Sequence, residues 1–132
     1  MHITLETDYA VRIVDLLAKN TDKPHLDAKS ISVGTGVSHR YALKILQKLV
    51  TGRIVQSYKG AHGGYKLLKN PGDISLYDVV EIMEGDYKFS RCLDLDYDCS
   101  CNDGLPCEHR HIFGEITELV KDKLKQHKFR GS

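Results

Sequence analysis

The chain has 132 residues, of which 41% are hydrophobic, and its 19 Lys and Arg against 18 Asp and Glu give a formal net charge of +1. This length allows one small domain with an appendage, and no apolar run approaches the roughly 20 residues that a membrane-crossing helix needs. The N-terminal sequence contains acidic residues and no uninterrupted apolar stretch, so we expect no secretory signal, no membrane partner and a cytoplasmic location.

The near-neutral total conceals a basic segment that is followed by an acidic one. Residues 28–72 contain eight Lys and Arg and no Asp or Glu, whereas residues 73–109 contain ten acidic residues against Lys88 and Arg91. A positive surface attracts polyanions and supplies salt-dependent affinity for phosphates. Basic residues are also common on ordinary solvated surfaces, but so long a segment without one carboxylate favours nucleic acid as the partner.

Hydrophobic spacing predicts a first helix over residues 7–19, with Asp8 suited to its positive N-terminal end. A second, short helix is predicted over residues 28–33. The Gly-Thr-Gly sequence at 34–36 then predicts a tight reversal of the chain, because two glycines one residue apart are unfavourable inside a helix.

A third helix is predicted to start after Ser38, which is a suitable N-cap, and to end near residue 50 or 51. One face is apolar and expected to be buried: Ala42, Ile45, Leu46, Leu49 and Val50. The opposite face is basic and amide-bearing: Arg40, Lys44, Gln47, Lys48 and Thr51. A helix, a glycine-containing turn and a second helix of this kind are typical of the helix-turn-helix, whose second helix enters the major groove.

The side chains of this third helix are chemically suited to reading bases. Arg40 can pair bidentately with guanine and Gln47 with adenine, while Ser38, His39 and Tyr41 lie where they could reach phosphates or base edges. The alternative is an ordinary amphipathic helix with a solvated face.

Two short strands are predicted next, at residues 54–58 and 65–68, with a glycine-rich loop at 59–64 between them. A hairpin directly after a recognition helix is typical of a wing. Lys59 and His62 could contact phosphate or the minor groove, and the glycines would let the backbone approach the sugar-phosphate chain. A nucleotide-binding loop is the alternative, but the Gly-Lys-Ser/Thr pattern is absent and no helix follows the loop.

A short helix is predicted over residues 75–83, and a long last helix over residues 106–127. The last helix carries a broad apolar stripe: Ile112, Phe113, Ile116, Leu119, Val120 and Leu124. Such a stripe on a terminal helix favours pairing with a second copy of the chain, as a palindromic operator would also require. The alternative is packing onto its own domain only.

All four cysteines lie between Cys92 and Cys107, with the spacing C-x6-C-x-C-x5-C. In a reducing compartment, clustered cysteines are more often metal-binding or reactive than disulfide-bonded. Soft thiolates suit iron–sulfur clusters, Cu(I) or zinc. Structural zinc sites usually have two to four residues between paired cysteines, whereas the closest pair here, Cys99 and Cys101, has only one residue between them. A zinc site and a thiol redox switch therefore remain open beside a cluster.

Nothing in the sequence indicates an enzyme. The seven histidines are scattered, no nucleophile-and-base arrangement is evident, and a redox C-x-x-C motif is lacking. We therefore expect a DNA-binding protein with no small-molecule substrate.

Several motifs together resemble one family over nearly the whole chain. They are LETDYAVR at 5–12, GVS at 36–38, GAHGGYKL at 60–67, DISLYDVV at 73–80 and MEG at 83–85. The chain is similar to the winged helix-turn-helix iron–sulfur regulators of the NsrR, IscR and CymR family, and closest to the NsrR-type branch. The resemblance implies a mainly α fold with a small β-hairpin wing and a long C-terminal dimerisation helix, in a homodimer that binds double-stranded operator DNA.

The resemblance also implies a domain organisation and a set of cluster ligands. Residues 1–85 would form the DNA-binding domain, 86–108 a cysteine-rich cluster-binding loop, and 109–132 the dimerisation helix and tail. Three cysteines of this loop hold an iron–sulfur cluster in cluster-binding members. By that pattern they are Cys92, Cys101 and Cys107, with Cys99 as an alternative ligand.

The fourth ligand differs between branches of the family. Where the IscR branch has a ligand His, this chain has Arg110; the NsrR branch instead uses an Asp from the first helix of the other subunit, a position that Asp8 matches. The resemblance thus implies a 4Fe-4S rather than a 2Fe-2S cluster that gates operator binding in response to nitric oxide, redox or iron–sulfur status. A zinc-binding or thiol-switch regulator of the same fold is the alternative, and Asp8 could instead simply stabilise a helix N-terminus.

Overall fold

The computed structural model describes residues 3–86 and 108–130. Within these residues the elements follow in the order α1 (Leu5–Lys19), α2 (Ala28–Thr35), α3 (His39–Thr51), β1 (Val55–Tyr58), β2 (Gly64–Leu67), α4 (Leu76–Glu84) and α5 (Glu108–Gln126), with a short 3-10 helix at Pro71–Asp73 before α4. The prediction of a mainly α fold with a hairpin wing and a long C-terminal helix is confirmed. Much of the predicted cysteine loop lies outside the described residues.

Side-chain caps set where α1 and α3 begin. The Thr4 hydroxyl accepts a hydrogen bond from the Thr7 backbone N–H at 3.3 Å, so α1 starts at Leu5, two residues before the predicted start. The Ser38 Oγ accepts from the Tyr41 N–H at 3.3 Å and caps α3 as predicted. Each cap satisfies one of the N–H groups that the first turn of a helix leaves without a partner.

The predicted reversal at residues 34–36 is wrong for its first two residues. The second helix continues to Thr35, and only Gly36 turns the chain, with a φ of 77° in the left-handed region that favours glycine. Gly34 lies inside the helix, where a Cβ would come within 2.9 Å of the Leu16 Cδ2 atom. This glycine therefore serves the close packing of α2 on α1 rather than a turn.

The core is formed by one face of each of the first four helices together with the hairpin. Its fully or almost fully buried members include Ala10, Ile13, Val14, Ile31, Ala42, Ile45, Leu46, Leu49, Val55, Ile74 and Val79. The predicted apolar face of α3 is buried except at Val50, which is half-buried. Because this face is held in the core, the basic face of α3 points outward.

The two strands pair in an antiparallel hairpin, and successive residue pairs face the core and the solvent in turn. The Val55 and Leu67 pair is buried, and the adjacent Gln56 and Lys66 pair is exposed. Leu26 extends the sheet, because its N–H and C=O groups exchange hydrogen bonds of 2.9 and 2.7 Å with Tyr65. The wing is thereby fixed to the connection between α1 and α2.

The C-terminal segment is tied back to the domain beyond the last helix. The Leu76 N–H donates to the His127 carbonyl at 2.8 Å, and the Phe129 N–H donates to the Ile74 carbonyl at 3.0 Å. Phe129 is 3% exposed and belongs to the core, although no sequence pattern predicts structure there. In the described part of the chain, no helix combines the length and apolar character needed to cross a membrane.

Candidate nucleic-acid interface and cofactor ligands

The outer face of α3 presents the predicted reading residues to solvent. His39, Arg40 and Gln47 are exposed, and Arg40, Lys44 and Gln47 recur at intervals of four and three residues along one stripe of the helix. Ser38 is exposed at the start of this stripe, with its hydroxyl oxygen accepting the cap hydrogen bond. The helix thus offers guanidinium, amide and hydroxyl groups on a surface that the core leaves uncovered.

Two of the predicted DNA-contacting lysines are held by a carboxylate from α1. The Lys48 Nζ donates to Glu6 Oε1 at 2.5 Å, and the Lys44 Nζ lies 4.0 Å from Glu6 Oε2. The hydrogen bond from Lys48 holds the pKa of the Glu6 carboxyl below its ordinary value, aided by the charges of both lysines and opposed by partial burial. Glu6 therefore stays ionised and partly neutralises this end of the basic face.

Tyr41 faces α1 as well as solvent. Its side chain is 40% exposed, and its ring meets the Tyr9 ring edge-on with centroids 5.7 Å apart. The Lys44 ammonium lies 5.6 Å from the centroid of Tyr41, and the Arg12 guanidinium lies 5.6 Å from that of Tyr9. Aromatic and ionic contacts thus join the first helix to the predicted reading helix.

Leu43 is an additional candidate that the sequence analysis missed. It lies off the buried face of α3, is 40% exposed and occupies a position between Arg40 and Gln47. An exposed apolar side chain on a reading helix can contact the methyl group of thymine. Its departure from the apolar stripe was the signal in the sequence.

The wing places Lys59 and His62 at its exposed tip. The sequence predicts that the wing glycines leave room for DNA, but two of them make room for the chain itself. A Cβ on Gly63 would lie 2.1 Å from the Tyr58 carbonyl oxygen, and one on Gly64 would lie 2.6 Å from that of Leu26. At Gly60, by contrast, a Cβ would meet nothing within 4 Å.

Of the predicted cluster ligands, the structure places only Asp8. It lies in the first turn of α1, its side chain is 49% exposed, and its carboxylate pairs with Arg12 at 2.9 Å. A carboxylate so placed is accessible to a second subunit and can exchange an exposed ion pair for another ligand, which fits the predicted role. Cys92, Cys99, Cys101 and Cys107 lie outside the described residues, among which no group of three or more His, Cys, Asp or Glu side chains could hold a metal.

A helix-turn-helix with an exposed basic reading helix and a hairpin wing defines a winged helix-turn-helix regulator that binds DNA. Residues 3–130 match the sequence model of the Rrf2 family, described as an iron-dependent transcriptional regulator. The chain belongs to the Rrf2 family, whose members are transcriptional regulators and not enzymes.

Individual relatives agree with this assignment. The chain is 27% identical to the HTH-type transcriptional regulator NsrR of Bacillus subtilis, over 93% of this chain and 92% of that protein. Among solved structures, it is similar to CymR, the global cysteine regulator of B. subtilis, with a TM-score of 0.79 and 23% identity over 98% and 93% of the two chains. IscR of T. potens gives a TM-score of 0.76 and 22% identity over 98% and 83%. At these identities the two structures establish the fold alone.

Proposed function

We propose that the protein is a homodimeric regulator whose binding to operator DNA is gated by an iron–sulfur cluster. The observation that carries the DNA-binding part is the outward stripe of α3, with Arg40 and Gln47 exposed beside a wing that bears Lys59 and His62. The helix supplies donors and acceptors for base edges, and the wing supplies positive charge for phosphates. Sequence preference is therefore assigned to α3, and general affinity to the wing and neighbouring lysines.

The last helix supports the homodimer. It has 19 residues, which corresponds to about 28 Å, and of its described side chains only Thr117 is buried. Leu119 is 68% exposed and Ile112 43% exposed, and the other residues of the predicted apolar stripe are half-buried. A second copy of the same helix would cover this surface, and a two-fold axis would then relate the two reading helices, which matches a palindromic operator.

The proposed cluster ligands are Cys92, Cys101 and Cys107 of one subunit and Asp8 of the partner subunit, with Cys99 as the alternative thiolate. When bound, a 4Fe-4S cluster would supply a centre sensitive to nitric oxide, oxygen and iron supply. The proposal rests on the match of this chain to NsrR and on the exposure of Asp8. Asp8 lies on the helix that contacts α3 through Glu6 and Tyr9, so a restraint on Asp8 acts on the element that packs against the reading helix.

The test compares Asp8→Ala with Asp15→Ala in anaerobically purified protein. Both residues form exposed ion pairs with a basic residue four positions later on α1, at 2.9 Å to Arg12 and 2.8 Å to Lys19. The two variants should therefore lose similar stability. Only Asp8→Ala should make the cluster, followed by its thiolate-to-iron absorption, labile to oxygen and chelators. In that variant the DNA mobility shift should no longer depend on whether the cluster is present. Colourless wild-type protein with stoichiometric zinc would contradict the cluster.

A heterodimer tests whether Asp8 acts across subunits. One subunit carries Asp8→Ala and the other Cys107→Ala, so that one site loses both ligands and the other keeps both. We expect one normal cluster per dimer. A heterodimer without any wild-type-like cluster would mean that the carboxylate comes from the same subunit as the cysteines.

A further inference from the structure

A basic cleft lies beside the hairpin, and no residue of α3 lines it. It has a volume of about 460 Å³ and is bordered by the end of α1, the connection to α2, both strands of the hairpin and the segment before the 3-10 helix. Lys23, Lys66 and Lys69 contribute three ammonium groups, and Asn20 and Gln56 contribute amides. None of these residues has a role in the proposed reading face or in the cysteine loop.

The charge of this cleft is unbalanced. The side chains that line it include no carboxylate, and none of the three ammonium groups forms an ion pair within the described ranges 3–86 and 108–130. The three lysines are exposed. This contrasts with Lys44 and Lys48, whose charges are partly cancelled by Glu6. The cleft therefore offers uncompensated positive charge.

The local fold explains why these side chains face outward together. Val55 and Leu67 turn into the core, so the alternation of the strands places Gln56 and Lys66 on the opposite face of the hairpin. The neighbouring connection is fixed beside this face by the hydrogen bonds between Leu26 and Tyr65. The cleft is thus a consequence of the strand register and not of free loops.

We propose that this cleft binds the phosphate backbone of DNA that flanks the operator core, an inference that rests on the proposed function. Two features favour DNA over other anions. The cationic groups come from the connection between α1 and α2, from β2 and from the segment that follows β2, and several separate cations suit a chain of phosphates. The same hairpin also carries Lys59 and His62 at its tip, so the cleft continues the surface proposed to contact DNA.

The experiment uses two duplexes with the same operator core, obtained by selection from randomised DNA. The short duplex ends at the core, and the long one adds about one helical turn, roughly 10 base pairs, on each side. Lys66→Ala/Lys69→Ala is compared with Lys128→Ala/Arg130→Ala, a control that removes the same number of charges from two exposed side chains on either side of the buried Phe129. Thermal melts establish that both variants fold.

The Lys66→Ala/Lys69→Ala variant should bind the long duplex about tenfold more weakly at about 0.1 M salt, and the salt dependence of log K should fall by about 0.9 for each phosphate that the variant no longer neutralises. The short duplex should bind wild type and variant equally, and the control should match wild type on both. Lys23→Ala should weaken binding to the long duplex in the same direction.

Equal weakening of binding to both duplexes would mean that the lysines contact the operator core, and it would overturn the proposed contact with flanking DNA. Unchanged binding to both duplexes would also overturn it and would leave an acidic protein surface as the occupant. Failure of the wild-type protein to bind any selected core would instead refute the proposed function, so the two failures are distinguishable.

Discussion

Glu6 provides a direct test of how the first helix controls the charge of the reading face. Its side chain is 22% exposed and accepts from Lys48 at 2.5 Å, with Lys44 at 4.0 Å. DNA phosphates that approach this face would compete with the carboxylate for both ammonium groups. The substitution Glu6→Gln keeps the shape and removes the negative charge, so it should strengthen binding to DNA of any sequence.

The size of the effect follows from the number of cations released. Each additional phosphate contact steepens the salt dependence of log K by about 0.9, so two freed lysines would add up to about 1.8 per subunit, or about 3.6 for the dimer. The folded state should lose only about 0.5–1 kcal/mol, because the Lys48 and Lys44 side chains are 41% and 59% exposed and water and salt screen the pairs. The Tm should accordingly fall by about 2–6 °C.

The assay is a salt titration of binding to random-sequence DNA, by fluorescence anisotropy, for wild type and Glu6→Gln. Asp15→Asn is the matched control, because Asp15 forms its ion pair with Lys19 on the same helix and not with a lysine of the proposed reading face. The gain should disappear when Lys44→Ala and Lys48→Ala are already present. Unchanged affinity in Glu6→Gln, or a gain that persists without the lysines, would refute the reasoning.

Three further predictions concern the reading helix, pH and the dimer. Arg40→Ala and Gln47→Ala should each cost about 1–3 kcal/mol at a selected operator and relax base preference at one position, whereas unchanged preference in repeated selection would move the reading face elsewhere. The pKa of the Glu6 carboxyl is lowered in the folded state, so the ionised carboxylate should contribute its full stabilisation at neutral pH. That stabilisation should be lost as the pH falls below the ordinary pKa of 4.5 and through the folded-state pKa. The Tm values of wild type and Glu6→Gln should therefore converge in acid. Leu119→Asp should yield monomers in analytical ultracentrifugation, while Val33→Asp, at a 78% exposed apolar residue on α2, should leave the oligomeric state unchanged.

Local patterns in the sequence were sufficient for most elements of the fold. Helical spacing and a suitable cap placed α3 within one residue of its observed bounds, because both signals arise from contacts within a few residues. The position of Gly34 inside α2 was missed because its reason is the side chain of Leu16 on another helix. Local propensity favoured a turn, and tertiary packing overrode it.

The same distinction applies to the candidate site. Residue type and periodicity identified the basic face of α3, but not its partner Glu6, which is 42 positions from Lys48 in the sequence. An amphipathic pattern indicates which side chains face outward, but it does not indicate which element lies beside them. The burial of Phe129, whose N–H donates to the Ile74 carbonyl just before α4, was missed for the same reason, since so short a segment has no period to detect.

The way α1 is packed indicates how a restraint on Asp8 would reach DNA. Its inner face is fully buried, Leu16 contacts Gly34 closely, and Glu6 pairs with the reading helix. A well-packed interior resists small internal displacements, so α1 should move together with α2 and α3 as one body. Capture of Asp8 by the partner subunit would then leave the shape of each reading helix unchanged and alter the distance and angle between the two. Affinity for a two-fold operator depends on this distance and angle, because the half-sites have a fixed spacing along the DNA.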